Sequence, residues 1–310
     1  MKRKNFKSIA GLTLIEILIG VVVSSIMMAA IYTTYSIVNT TYSQVLEKAK
    51  VSRSSRDIIE LLIRDTRMAG FKYYLGDNDL GLPKESYLEF VGGASSIKES
   101  HDPIVIIPQQ LGHSIEDTIP TPPQKHNLLD SCCDKIHIVY DDFNQNDDTQ
   151  PYKRYKLTYF ARPLSDTDRD GNIINQRYGI YKSKISWEQD LGQETGRWVP
   201  DCSECYHNEL IRDHVEDMEF IALDKDGKVL TPYPNTLTEE SRRNLYKIRA
   251  IDIRIAFISE KPFFRFESRQ GKERQLTGFS RTPRSFSDRN LRDNVVVTVY
   301  TRNIVGQEIF

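Results

Sequence analysis

Apolar residues run almost without a break from Leu12 to Val38, and Glu16 is the one charge among them. These 27 residues exceed the about 20 that a helix needs to cross a bilayer. Beyond them the pattern changes. Tyr42, Val45, Ala49, Ser52, Ile59, Leu62, Thr66 and Ala69 recur at three-, four- or seven-residue steps, with Arg56 filling the gap. Glu47, Lys48, Arg53, Asp57 and Arg64 lie off that stripe, as expected for an amphipathic helix with a narrow apolar face. No proline interrupts residues 12–70, and Gly70 supplies a natural stop. The pattern predicts one helix of about 58 residues, roughly 87 Å long at 1.5 Å per residue. Its first half is apolar all round and its second half has one face to bury.

After Phe71 the period shortens to two. Tyr87–Val91, Ile104–Ile107, Lys135–Asp141, Tyr152–Phe160, Tyr178–Ile185, Met218–Leu223, Ile248–Ile258 and Val295–Thr301 read as strands rich in β-branched and aromatic residues. Ile251, Ile253, Ile255 and Phe257 alternate most clearly, as do Val295, Val297 and Val299. Alternation of this kind fits an antiparallel sheet with one covered face, and the amphipathic half of the helix is the natural cover. The expected fold is therefore α+β: a long N-terminal helix packed on a β-rich, mainly antiparallel head.

Charge sets the orientation. Lys2, Arg3, Lys4 and Lys7 precede the apolar run, and the next cation is Lys48. This places the N-terminus in the cytoplasm and the body of the chain across the membrane. The overall net charge of −1 gives no global reason to expect nucleic-acid binding. A secretory signal would carry its cleavage site after the apolar core. Here the plausible processing point, Gly11, comes before it, so the apolar segment would be retained. A carboxylate such as Glu16 inside a membrane span is costly and points to a function.

The stretch Gly11-Leu12-Thr13-Leu14-Ile15-Glu16 resembles the leader junction of type IV prepilins. That resemblance implies cleavage after Gly11 by a prepilin peptidase and N-methylation of Leu12, where the family usually has phenylalanine. It gives Glu16 the role of pairing with the N-terminal amine of a neighbouring subunit, an ion pair that is strong in low dielectric when both partners are present. Arg64-Asp65-Thr66-Arg67-Met68-Ala69-Gly70-Phe71 is similar to the close of the long helix in PilW-type minor pilins. The segment Leu210–Met218 is similar to their run ahead of a core strand. The implied organisation is a leader over 1–11, a membrane and assembly helix over 12–38, its amphipathic continuation over 39–70, and a periplasmic head over 71–310. The implied function is a minor pilin that primes or joins assembly of a type IV pilus, with roles in adhesion and motility. The implied partners are the peptidase, other minor and major pilins, the inner-membrane assembly platform, and lipid before assembly. A J-type pseudopilin of type II secretion shares the same plan. A pilus-associated subunit that binds DNA or a surface is the other alternative.

Three further groups carry candidate chemistry. Cys132, Cys133, Cys202 and Cys205 can oxidise in an exported body; they allow three connectivities, and a zinc site is the sharper reading of CC with CxxC. Asp166-Thr167-Asp168-Arg169-Asp170-Gly171-Asn172 follows the start of a calcium loop, with Asp166, Asp168, Asp170 and Asn172 as ligands. Arg177 stands where the full loop wants glutamate, and a polar hairpin turn between Tyr159 and Tyr178 is the plainer reading. No cofactor is required. Phe263–Arg292 mixes five phenylalanines with cations including Arg281, Arg284, Arg289 and Arg292, a composition that can grip nucleic acid or dock on an acidic neighbour. Without H-E-x-x-H, G-x-S-x-G or a phosphate-binding glycine loop, an enzyme is not expected.

Overall fold

The computed structural model describes residues 13–71, 102–108, 132–143, 152–167, 173–189, 196–235, 238–264, 273–279 and 283–304. The chain divides into two compact units, 1–49 and 50–310. Helix α1 (Leu14–Met68) contributes to both. Its end falls within two residues of the stop expected at Gly70. Within 1–49 the helix is long and apolar enough to cross a membrane by length and composition, and its most apolar stretch is exposed throughout.

The second unit is built on an antiparallel sheet. Strands β1 (Ile104–Ile107), β2 (Lys135–Phe143), β3 (Tyr152–Thr167), β4 (Ile173–Gln189), β5 (Gly196–Val199), β6 (Tyr206–Leu223), β7 (Ala250–Ile258) and β10 (Arg292–Tyr300) form eight strands in the order β1-β2-β3-β4-β6-β7-β10, with β5 also on β4. Strands β8 (Arg274–Leu276) and β9 (Arg284–Phe286) pair separately. A short helix α2 (Glu239–Leu245) carries a Thr238–Ser241 capping box.

Register sorts the side chains into two faces. Ile136 opposes Tyr159 and Ile138 opposes Leu157, while Tyr159 opposes Lys182. These share the face that meets α1, because Tyr159 and Lys182 both reach Asp65 of the helix. Val51, Ile58, Ile59, Leu62 and Ala69 of α1 join Ile104, Ile136, Ile138, Leu157 and Ile253 in one buried core. The buried helical stripe matches the expected one at Ile59, Leu62, Thr66 and Ala69 but runs through Ser55 and Ile58 rather than Arg56. Tyr42, Val45 and Ala49 are exposed.

The helix stops where its backbone is taken over by the sheet. Gly70 has φ +75°, and its N–H donates to Val139 O at 2.8 Å while Asp141 N donates to Phe71 O at 2.9 Å. A Cβ on Gly70 would lie 3.1 Å from Ile304 Cγ1. Both the positive φ and the close approach therefore select glycine there.

Most strands lie where alternation places them. The segment Tyr87–Val91 lies outside the described residues. Strand β6 begins at Tyr206 rather than Met218, because its polar first half is a pairing arm. That arm runs along β4 from Tyr178↔Val215 to Lys184↔Tyr206, with several register shifts. Asn208 and His214 adopt positive φ along it. Strands β5, β8 and β9 and helix α2 have three to seven residues each, too short for periodicity to reveal.

Candidate assembly site

The start of α1 is a reciprocal cap. Glu16 Oε2 accepts from Thr13 N and from Thr13 Oγ1, each at 2.9 Å. In return Glu16 N lies 3.4 Å from Thr13 Oγ1. The sequence Thr13-Leu14-Ile15-Glu16 is the S/T-x-x-E capping box, in which the helix-start hydroxyl and the third helical carboxylate satisfy each other's donors. That signal was legible in the sequence, and it adds Thr13 to the residues that matter. Gly11 and Leu12 lie outside the described residues.

Downstream, the helix surface up to Val38 is predominantly apolar, and several hydroxyls along this part of the helix bond back to its own backbone. Ser24 and Ser25 bond back to Val21 O at 3.0 and 2.5 Å, Thr33 and Thr34 to Ala30 O at 2.9 Å, and Thr40 to Ser36 O at 2.8 Å. Leu14, Ile15, Ile17, Leu18, Ile26 and Met28 all stand exposed. Glu16 is thus a lone anionic position at the head of a long apolar surface.

At the other end of α1, within the second unit, Asp65 is a buried anchor. Its Oδ2 accepts from Tyr159 Oη at 2.5 Å and lies 2.6 Å from Lys182 Nζ, and Arg64 Nε reaches Oδ1 at 3.1 Å. Burial, and then the adjacent Asp65 charge, push the Tyr159 phenol far above its ordinary range. Lys182 is further flanked by the Tyr159 and Tyr206 rings, 5.3 and 5.8 Å from their centroids. Asp65 falls inside the stretch that resembles a pilin helix end, yet its pairing with Lys182 is set by the fold of β4 and invisible locally.

The cysteines pair locally: Cys132 with Cys133, and Cys202 with Cys205. No free thiol remains, so thiolates for zinc are absent in this oxidised state. The first pair is fully buried, with Asp217 nearby. The second closes a turn whose Glu204 accepts from Lys184 at 3.2 Å.

Of the candidate calcium residues, Asp166 lies near the end of β3. The Asp166 backbone in β3 pairs with Asn175 of β4, consistent with the plainer hairpin reading. Asp168, Asp170 and Asn172 lie outside the described residues, as does Arg281.

The other candidate arginines are engaged internally. Arg292 forks onto Asp288, with both contacts at 2.7 Å, lies 3.4 Å from Glu216 Oε2 and stacks 3.6 Å from the Phe286 centroid. Arg284 donates to Glu216 O at 3.2 Å and approaches Glu216 and Asp217 carboxylates at 3.8 Å. Arg289 donates to Phe264 O at 3.0 Å, and Arg274 donates to Asp288 O and covers the Phe264 ring. Among the described residues, Arg274 is thus stacked on Phe264 and Arg292 on Phe286, with β6 supplying acidic partners. Burial pushes the Glu216 carboxyl up, with Arg292 and Arg284 opposing it.

No family model matches the chain, and no curated protein matches it. Among solved structures, a type IV-like pilin from Thermus thermophilus aligns at 11% identity and a TM-score of 0.40, covering 82% of this chain and 98% of that one.

Proposed function

We propose that the chain is a minor pilin that primes or joins assembly of a type IV pilus after cleavage at Gly11. In this reading the apolar part of α1 holds the subunit in the inner membrane, N-terminus inside and head outside, and later packs among neighbouring helices. Glu16 sets the axial position of the subunit by meeting the N-terminal amine of a neighbour. The observation that carries the reading is the isolation of Glu16: one carboxylate in the first turn of the exposed apolar stretch of α1, where the Ser25, Thr34 and Thr40 hydroxyls already bond to the helix's own backbone. Such a charge is unfavourable in lipid unless a partner reaches it. The internal pairing of Arg284 and Arg292 makes DNA binding the weaker alternative.

Two variants of the full chain test the reading. Gly11→Leu is expected to remain at precursor mass, and normal shortening would refute cleavage at that site. Glu16→Ala is expected to be shortened normally but excluded from fibres; wild-type incorporation would remove its assembly role.

A further inference from the structure

Strands β1 and β10 are the two ends of the sheet, and they are finished differently. Strand β1 has four residues, and its Ile104 and Ile106 are buried. Strand β10 has nine, pairs with β7 without a register shift, and leaves Val296 and Tyr300 54% and 69% exposed. Backbone hydrogen bonds at its two ends fix which of its groups point outward. Ser259 N donates to Leu291 O at 2.8 Å, and Thr301 N donates to Arg249 O at 3.0 Å. Odd-numbered residues therefore face β7 throughout. The N–H and C=O groups of Arg292, Asn294, Val296, Thr298 and Tyr300 point away from it, and among the described residues no strand pairs with them. From Asn294 to Tyr300 the strand reads Asn-Val-Val-Val-Thr-Val-Tyr. It has no charge, proline or bulge, the devices that keep a free sheet edge from pairing. Its side chains are already ordered: Thr298 Oγ1 donates to Asp252 Oδ1 at 2.6 Å, and Asn294 Oδ1 accepts from Arg254 at 3.4 Å.

We propose that this edge pairs with the β10 edge of a second copy of the chain, extending the sheet across a two-fold axis at Val296. Val296 is the midpoint of β10, so antiparallel overlap of the whole strand sets it opposite itself. Asn294 then lies opposite Thr298 of the second copy, and Arg292 opposite Tyr300. On the other face Asp293 meets Val299 and Val295 meets Val297. Outward backbone groups meet outward groups, and the two charges of each strand, Arg292 and Asp293, oppose uncharged residues. The patch is thus complementary to itself, as a two-fold contact requires, and sets no like charges opposite each other, which would destabilise it. The axis of such a pair stands normal to the sheet. Residues 50–68 of α1, packed on the sheet face, therefore run in opposite directions in the two copies. This contact joins copies that meet from opposite sides, and it is independent of the assembly role proposed for Glu16.

The test uses the full chain solubilised in detergent. Both native cysteine pairs are closed, so a new cysteine is the one available thiol. Under mild oxidation Val296→Cys is expected to form a covalent dimer, because Cα atoms directly opposed in such a pair lie about 5.5 Å apart, within disulfide reach. Asn294→Cys alone is expected to stay uncrosslinked, its counterpart lying four residues along the strand, about 13 Å away. Mixed with Thr298→Cys, it is expected to crosslink. Val296 lies opposite Arg254 in β7, so Val296→Glu suits the fold while placing two like charges at the axis. That variant is expected to keep its melting temperature within about 2 °C and to weaken self-association in sedimentation by at least about fivefold.

Self-association of Val296→Glu at the wild-type level would assign the contact to another surface, α1 included, and overturn the proposal. A wild-type chain that stays monomeric at every concentration reached would overturn it as well. Crosslinking of Asn294→Cys alone as efficient as that of Val296→Cys would refute the register. Crosslinking of Val296→Cys in whole cells to a different protein and never to itself would give the edge to a heterologous strand and overturn the second copy as its occupant.

Discussion

The Asp65 carboxylate and the Lys182 ammonium lie 2.6 Å apart with both side chains buried, tying the last turns of α1 to the centre of strand β4. Tyr159 completes the site from β3. Three elements distant in sequence therefore meet at one charge. Removing a single partner of a buried pair strands the other and costs about 3–5 kcal/mol, whereas replacing both with apolar residues is often near neutral. Asp65→Ala is expected to lower the melting temperature of the purified chain by on the order of 10 °C, at about 2–4 °C per kcal/mol. Asp65→Leu combined with Lys182→Met is expected to recover most of that loss. A double variant as unstable as the single would refute the account of Asp65 as a paired charge.

Arg292 supports a second structural prediction. It forks onto Asp288, reaches Glu216 and covers Phe286, so it clamps the β8–β9 segment to the acidic end of β6. Arg292→Ala is expected to destabilise the chain by about 2–3 kcal/mol in urea unfolding, the scale of hydrogen bonds to a charged partner. Arg292→Lys is expected to recover only part, because an ammonium lacks the planar fork. Arg289, whose exposed side chain donates to the Phe264 carbonyl, should cost less than about 1 kcal/mol when replaced by alanine, as surface changes usually do. Equal losses at the two positions would contradict the clamp.

How far the sequence could be read follows from these contacts. The long helix and its stop were legible because apolar residues repeat at helical steps and Gly70 ends them. The strands around Ile253 and Val297 were legible from strict alternation. What was hidden depends on residues far apart along the chain. The cations of Phe263–Arg292 look unopposed beside Glu267, Glu273 and Asp288 alone, because Glu216 and Asp217 arrive from β6 through β7 and β10 pairing. The polar first half of β6 hid in the same way, its hydrogen-bond partner being β4 rather than its own neighbours. Thr13 differs: its T-x-x-E spacing to Glu16 is local, so the cap is legible in the sequence alone.

The two disulfides are expected to differ sharply in access. Thiol exchange requires a thiolate to reach a disulfide sulfur. Cys132 and Cys133 are fully buried, whereas Cys202 and Cys205 lie half-buried on a turn ahead of β6. Brief treatment of the native full chain with dithiothreitol, followed by alkylation and peptide mass analysis, should label Cys202 and Cys205 first. Labelling of Cys132 and Cys133 should need denaturant. Simultaneous labelling under native conditions would contradict the burial.

Stability should also depend on pH in a way set by a buried basic cluster. His137 accepts or donates through Nδ1 to Thr158 at 2.8 Å; burial, then Lys135 and Lys156, hold its imidazole well below 6.5. Burial, then Lys135, push Lys156 down from 10.5 to about 8, with its ammonium 4.7 Å from the Trp198 centroid. For both groups the unfolded chain binds the proton more tightly, so stability rises with pH across each gap. It should therefore fall as the pH drops below about 6.5, and climb between about 8 and 10 as unfolded Lys156 still holds a proton that the folded chain has released. Near pH 10 the sign reverses. Tyr140, Tyr159, Tyr206 and Tyr233 are all pushed up by burial, so the unfolded tyrosines ionise first and stability is lost. Urea midpoints from pH 5 to 11 should thus peak near pH 10. Lys156→Met should remove the climb and raise stability at pH 7 by up to about 3 kcal/mol, the worth of its depressed proton affinity. A midpoint that is flat or falling from pH 8 to 10 in the wild-type chain would refute a buried, weakly basic Lys156.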